Sequence, residues 1–386
     1  MAKGAERVVM ELLFEKFRQS KPKRLRTSRK RLGVKVMISA LVASMYLLGS
    51  IAAEADGPSA PSSGLTERGI NLSFYDYLGL SDQYIADQAQ AYALFVKSLD
   101  ANWVTINIPL WTNSVTASRV YAGSDPLSSS HAVTPSPARV AMVVDAMHAE
   151  HLSVRLRPFI NEGDLALSGH WRGQLEPRRM GKWFRTYNHS IAPFLAIAYT
   201  HDAESFAIAS ELQSLSANPR WAKVIASAHQ VFSGTIAWDA LSSDGPDGTW
   251  SPHPGAKIGL DAYPSIDVPN SVPASVLVGG FNHWLNLNPL PRQASSIVLQ
   301  EVGIVAQGGR TYRHPWKWRD LSLPFRPDVQ RKWFKAACIF AKANGLRGLS
   351  FNSLFLTSPI PNGDDPTHPE AFQAGSIAAI RTCYSP

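Results

Sequence analysis

The sequence predicts an α/β fold, a (β/α)8 TIM barrel preceded by an N-terminal membrane-targeting segment, and three observations carry that expectation. Eight short apolar, β-rich runs recur along residues 66–386, and segments of helical length and apolar spacing alternate with them. A chain of 386 residues also holds one large domain of roughly 250–330 residues with a leader to spare. The runs lie at 69–74, 103–109, 152–159, 205–210, 234–238, 258–263, 297–301 and 348–351. The helical segments lie at 82–99, 135–150, 180–200, 219–232 and 327–344. Two longer polar stretches, 112–134 and 307–323, are expected as loops over the barrel mouth, where such folds keep their binding residues. A doubly wound open sheet has the same alternation, since strand patterns do not show closure.

Ahead of this body the composition changes. Residues 1–35 hold twelve Lys or Arg against three Glu, whereas the remainder holds 26 basic against 27 acidic residues. The formal charge of +8 therefore belongs to a tail, which argues against a basic face for nucleic acid on the folded body. Residues 36–53, VMISALVASMYLLGSIAA, run for eighteen residues without a charge directly after Arg29, Lys30, Arg31 and Lys35. That length and that basic flank mark an export segment over residues 36–55, with everything beyond it outside the cytoplasm. Ala53-Glu54-Ala55 offers a small-x-small cleavage site, so a secreted or periplasmic form and a membrane-anchored form both fit. A Pro/Ser/Gly linker at 56–65 leads into a domain over 66–386.

The two cysteines, Cys338 and Cys383, exclude a cysteine-based metal site. Either they form one bond tying a late helix to the C-terminal tail, or they are buried thiols. The histidines show no HExxH spacing, and neither a phosphate loop of the GxxxxGK[ST] type nor a GxSxG elbow is present.

The chemistry points to two carboxylates. The fourth run, FAIASEL, ends in Glu211, and the seventh, SIVLQEVG, ends in Glu301. In a barrel the C-terminal strand ends form the active-site face, and strands four and seven stand across its mouth from each other. Two carboxyls so placed suit glycosidic cleavage, one protonating the leaving oxygen and one attacking the anomeric carbon. Eleven tryptophans supply flat apolar rings for pyranose faces. Trp111, Trp171, Trp238 and Trp250 fall at strand ends or in loops and are candidates for that contact, with packing under a loop as the alternative. Trp183, Trp221 and Trp333 sit within helical patterns. Arg157, Asn161 and Arg172 are placed to bind hydroxyls, and for Arg157 an ion pair bracing the barrel is equally consistent.

Taken in order, RGINLSFY at Arg68, LDANWVTINIPLW at Leu99, TPSPARV at Thr134, VRLRPFINE at Val154, HWRGQLEP at His170, FAIASEL at Phe206, GTIAWDAL at Gly234, IGLDAYPSI at Ile258 and VLQEVGI at Val298 resemble glycoside hydrolase family 113, the β-mannanase-like members of clan A barrels. The resemblance spans almost the whole exported body. It implies Glu211 as acid/base, Glu301 as nucleophile, and Tyr263 as the tyrosine that hydrogen-bonds the nucleophile. It further implies a retaining, endo-acting hydrolase of β-1,4-linked mannan or a related β-glycan, a poly- or oligosaccharide substrate, no cofactor and a monomer.

Two departures bear on specificity. Ser210 stands before the acid/base glutamate where the clan commonly has Asn, and a hydroxyl still donates or accepts a bond there. The eighth strand reads LSFNSLF where the clan often shows a Trp platform, which leaves Phe351 or Phe355 as the nearest aromatic. Two other expectations stay open beside the main one: an anchored hydrolase trimming the cell's own exopolysaccharide, and a non-catalytic carbohydrate-binding barrel.

Overall fold

A computed structural model describes residues 64–125, 131–161, 165, 168–241, 255–290, 293–309 and 311–385. The basic tail, the apolar stretch read as an export segment, the candidate cleavage site and Trp250 lie outside the described residues, as does most of the linker. Among the described residues, no helix is long and apolar enough to cross a membrane.

Eight parallel strands close on themselves. They are β1 (Glu67–Ser73), β2 (Trp103–Leu110), β3 (Ser153–Ile160), β4 (Ser205–Ser210), β5 (Thr235–Leu241), β6 (Lys257–Asp261), β7 (Val298–Gly303) and β8 (Gly348–Phe355). Closure is fixed by β1, which pairs with β2 on one side and with β8 on the other. The open-sheet alternative is thereby excluded. Around the barrel stand α1 (Asp82–Lys97), α2 (Pro137–Ala149), α3 (Met180–Thr200), α4 (Arg220–Val231), α5 (Ala274–Leu287), α6 (Pro327–Ala343) and α7 (Ala374–Tyr384).

Local chemistry sets where these elements start and stop. Ser81 and Ser136 cap α1 and α2 by accepting from the amides of Tyr84 and Arg139, and Pro137 begins α2 with φ already helical. Asp100, His151 and Asp202 take left-handed backbone where α1, α2 and α3 turn back into strands. The helices bury apolar stripes against the strands. One cluster stacks Trp183 on Tyr187 at 4.9 Å and sets Trp221 edge-on to Trp238, also at 4.9 Å. A second packs Phe281 and Tyr312 against Trp333. Each such buried ring contributes about 1.5–3 kcal/mol.

Two helices do not register as helical patterns in the sequence. Within α5 the pair Gly279-Gly280 breaks the apolar period, yet a Cβ on Gly280 would meet Ile266 at 2.4 Å, so the glycine is required by close packing. The other, α7, is rich in small residues and short of a clear stripe; its buried side chains include Ile377, Ile380 and Tyr384. Of the two readings for the cysteines the bonded one holds: Cys338 on α6 and Cys383 on α7 form a disulfide across a separation of 45 residues. It ties the last helix to the barrel beside β8.

Closing a loop of that size removes chain entropy from the unfolded state, a contribution of typically about 2–4 kcal/mol. Thermal unfolding of Cys383→Ser, and of the parent chain under reductant, is expected to show a lowered Tm in both cases. Equal Tm values with and without reductant would contradict this role.

Candidate active site

Alternation along the strands turns a row of charged side chains into the barrel. In β3, Arg155 and Arg157 are two residues apart and both face inward, where they form two layers. Arg155 makes the lower layer. Its Nη1 pairs with Glu67 of β1 at 2.8 Å, its Nε donates to Ser205 Oγ at 3.2 Å, and it bonds the side chain of Gln300. Arg157 makes the upper layer, 2 % exposed. Its Nη2 reaches Glu301 Oε2 at 2.5 Å, its Nε donates to Asn107 Oδ1 at 2.7 Å, and Asp261 and Asp239 stand farther off at 3.4 and 3.5 Å.

These distances decide which carboxylate balances the cation. Coulomb attraction falls with separation, so Glu301 is the principal partner and the two aspartates are secondary. Burial pushes the Asp261 carboxyl well above the usual carboxylate range, against the pull of Arg157 and with further push from Glu301. Burial raises Asp239 as well, again opposed by Arg157. The same interior carboxylates, Glu301 foremost, hold the Arg157 guanidinium charged in spite of its burial.

Glu301 reaches this position through an irregularity. Along β7 the register slips against β6 between Leu260 and Asp261, and against β8 between Leu349 and Phe351. Gln300 and Glu301 are consecutive, yet the first contacts Arg155 and the second Arg157, both inside the barrel. A regular strand would send one of them outward; a bulge turns both in. The other oxygen of Glu301, Oε1, accepts from the Tyr263 hydroxyl and from Asn352 Nδ2, the latter at 2.8 Å. Asn352 also donates to the Tyr263 hydroxyl at 2.9 Å. In the bonds from Arg157, Tyr263 and Asn352 the Glu301 carboxyl oxygens are the acceptors. Burial and the nearby Glu301 hold the Tyr263 hydroxyl well above its ordinary range, so it stays a donor. Gly303 makes room: a Cβ there would lie 2.9 Å from the Asn352 carbonyl and 3.1 Å from the Tyr263 hydroxyl.

Glu211 is held quite differently. It follows the last residue of β4 with φ +54, a left-handed conformation uncommon for a glutamate, while its amide donates to the Asp239 carbonyl at 2.9 Å. Strain of this kind costs on the order of 1–3 kcal/mol and gathers at functional sites. Arg172, on a short 3-10 turn after β3, grips the carboxyl, with Nε and Nη2 at 2.8 and 2.6 Å from Oε2. The guanidinium also donates to the Ile160 carbonyl at 3.2 Å and lies over the Phe159 ring at 5.3 Å.

The residues expected at the site divide clearly. Glu211, Glu301, Tyr263, Arg157, Arg172 and the buried Ser210 come together at the strand ends of β3, β4, β6 and β7. Arg157 is the bracing ion pair of the two readings, since it is sealed beneath Glu301. Asn161 accepts from the Tyr75 hydroxyl at 2.9 Å, and Trp171 is half-buried next to Arg172. Three expected sugar-contacting rings are out of reach of a ligand. Trp111 is 1 % exposed and donates to Thr134 Oγ1 under a loop, so packing is what it does. Trp238 alternates outward from the inward Asp239 and packs on Trp221. Phe351 likewise faces the helices, against Phe334 and Tyr384. Phe355, four residues on, is the strand-eight aromatic near the mouth, stacked with Tyr75 at 6.5 Å.

Sequence reasoning missed Asn352, Asp261, Asp239 and Asn107. The period-two spacing of Asn352 and Leu354 gives no clue to Asn352, but Asp239 and Asp261 each interrupt an apolar strand, a signal that was there to be read. Among the described residues, no group of three or more His, Cys, Asp or Glu is placed to hold a metal ion. The interior carboxylates converge on Arg157 instead.

Comparison with known proteins places this geometry in context. The model of Glycoside Hydrolase Family 113 matches residues 74–351. A family 113 β-mannanase from Alicyclobacillus acidocaldarius, solved in complex with ManMIm, superposes with a TM-score of 0.62 at 18% identity, covering 84% of this chain and 99% of that one. Another structure, of a family 113 β-1,4-mannanase, gives a TM-score of 0.63 at 12% identity over 82% of this chain and 99% of its own. At these identities the structures share the fold. No curated protein sequence matches the chain.

Removing Arg157 would leave its carboxylates buried and unbalanced, a change that typically costs about 3–5 kcal/mol. Arg157→Met is expected to lose that much in chemical denaturation, and adding Asp261→Asn is expected to restore part of it. Gly303→Ala is expected to keep the fold by circular dichroism while lowering any catalytic rate at least tenfold, because Asn352 and Tyr263 must withdraw from Glu301. An unchanged rate in Gly303→Ala would show that this contact is dispensable.

Proposed function

The chain belongs to glycoside hydrolase family 113, and we propose that it is a retaining, endo-acting enzyme that cleaves β-1,4-linked mannan or a related β-glycan. Family membership makes it a glycosidase. The mechanism rests on one observation above all: two strand-end glutamates in contrasting settings, Glu301 caged by Arg157, Tyr263 and Asn352, and Glu211 at the mouth on Arg172.

In this reading Glu211 gives its proton to the glycosidic oxygen as the bond from that oxygen to the anomeric carbon breaks. Glu301 attacks the same carbon and forms a glycosyl ester. Glu211, now a carboxylate, takes a proton from water, whose oxygen displaces Glu301 and restores both groups. The cage has a part in each step. When Glu301 spends its charge on the ester, the push that charge exerts on the Asp261 and Asp239 carboxyls is lifted, and both stand by Arg157 at 3.4 and 3.5 Å to take over as counter-charge. Tyr263 and Asn352 fix the carboxyl plane before attack, which removes rotational freedom from the barrier.

The export segment and the disulfide between Cys338 and Cys383 support action outside the cytoplasm, where such bonds persist. The long basic tail ahead of the apolar stretch favours a form that keeps its anchor and trims the cell's own exopolysaccharide. The N-terminal residue of the mature protein separates this form from a cleaved one.

The direct test is hydrolysis of β-mannan, glucomannan, β-glucan and xylan by the parent chain beside Glu211→Gln and Glu301→Gln. One polymer is expected to be cleaved, with rates falling roughly 10²–10⁴-fold or more in both variants. Glycan binding without cleavage of any polymer would instead mark a carbohydrate-binding barrel.

A further inference from the structure

Aromatic contacts continue outward from the site. Phe159, beneath Arg172, meets Tyr75 edge-on at 6.2 Å; Tyr75 stacks with Phe355, and Phe355 meets Trp318 edge-on at 5.8 Å. Trp318 belongs to the connection between β7 and α6, which reads RHPWKWR over residues 313–319. Here the fold does something costly. Trp316 and Trp318 are 51 % and 43 % exposed, and Leu321 and Leu323 beside them are exposed too.

That exposure is imposed by the anchoring of the segment. Tyr312 is fully buried, stacked on Trp333 at 5.8 Å and donating to the Val329 carbonyl. On the far side Gln307 and Asp320 exchange two bonds, at 2.7 and 3.0 Å, and Arg319 binds Glu370 and the Thr367 carbonyl. A segment tied at both ends holds its indoles out in water, and exposed aromatic side chains on an anchored loop mark a binding site.

Its charge selects the occupant. Arg319 is balanced by Glu370 at 3.0 Å. Arg313 reaches Asp267 at 3.5 Å with both groups about half exposed, a contact that water screens heavily. Lys317, between the two indoles, has no carboxylate partner among the described residues. The charges of Lys317 and Arg313, after burial, hold His314 below its ordinary range, as a locally positive surface does.

We propose that residues 313–319 form a remote subsite for a β-glycan bearing carboxylate groups, with Trp316 and Trp318 stacking on pyranose faces and Lys317 meeting the acid group. The inference rests on the glycosidase reading above and extends it: the substrate is a chain long enough to reach from Glu301 to this segment, and it is acidic. A neutral chain would use the indoles and leave the lysine idle.

The test uses a matched pair of probes, a soluble β-mannan and the same mannan oxidised at C6 to uronate. Binding is measured by calorimetry on the full chain carrying Glu301→Gln, so turnover plays no part. The oxidised mannan is expected to bind more tightly, with a preference that shrinks as salt rises. Trp316→Ala and Trp318→Ala are expected to weaken both probes about 3- to 10-fold, whereas Lys317→Gln should remove the preference and leave the neutral probe unchanged. Unaltered binding in the tryptophan variants, or a preference that survives Lys317→Gln or never existed, would overturn the proposal. Hydrolysis of a short aryl β-mannoside by the three variants in the otherwise parental chain, expected at parental rates, reports separately on the catalytic reading.

Discussion

Sealing a guanidinium inside a barrel removes it from water at a cost of several kcal/mol, and the arrangement around Arg157 follows from offsetting that cost. A single carboxylate at 2.5 Å meets most of the demand, and it is Glu301. Asn107 takes the Nε hydrogen, and Asp239 and Asp261 close the remaining sides. Because Glu301 must lie both over the cation and at the mouth, β7 bulges, Gly303 gives up its side chain, and Tyr263 and Asn352 come within bonding distance. The lower layer around Arg155 repeats the solution with Glu67 and Gln300. Polar layers that replace the usual branched aliphatic filling thus give the barrel a rigid floor on which the carboxylate stands.

Against that fixed group, Glu211 is poised on strained backbone. Its left-handed φ brings the residue after β4 into the mouth, and the amide bond to the Asp239 carbonyl holds the turn. Arg172 completes the support from a different strand-end loop. Both carboxyls are buried, but Glu301 is held by Arg157, Tyr263 and Asn352 from neighbouring strands, whereas Glu211 is gripped by Arg172 from a strand-end loop.

Much of this was legible in the sequence. Apolar runs separated by amphipathic segments announce parallel strands and crossover helices, and their count of eight suits a barrel, whose closure the pairing of β1 with both β2 and β8 then fixes. The two glutamates were visible because each ends an apolar run at the strand position that a two-carboxylate site requires. What stayed hidden depends on closure and on register. Whether a ring at residue 111, 238 or 351 faces sugar or helix is decided by which parity of each strand points inward, and bulges shift that parity without leaving a mark in composition. Asn352 is invisible for the same reason: an asparagine in a strand means nothing until β8 is laid beside β7. The exposure of Trp316 and Trp318 comes from long-range anchoring by Tyr312, Gln307 and Arg319, which no local pattern encodes.

The account stands on Glu301 as the group that bonds to sugar. Incubation of the parent chain with a 2-deoxy-2-fluoro-β-mannosyl fluoride, followed by proteolysis and mass spectrometry, reads this directly. A single fluorosugar on the peptide containing Glu301, with release on addition of an acceptor, is the predicted result. Turnover of natural substrate without any trapped ester, or label on another carboxylate, would contradict it.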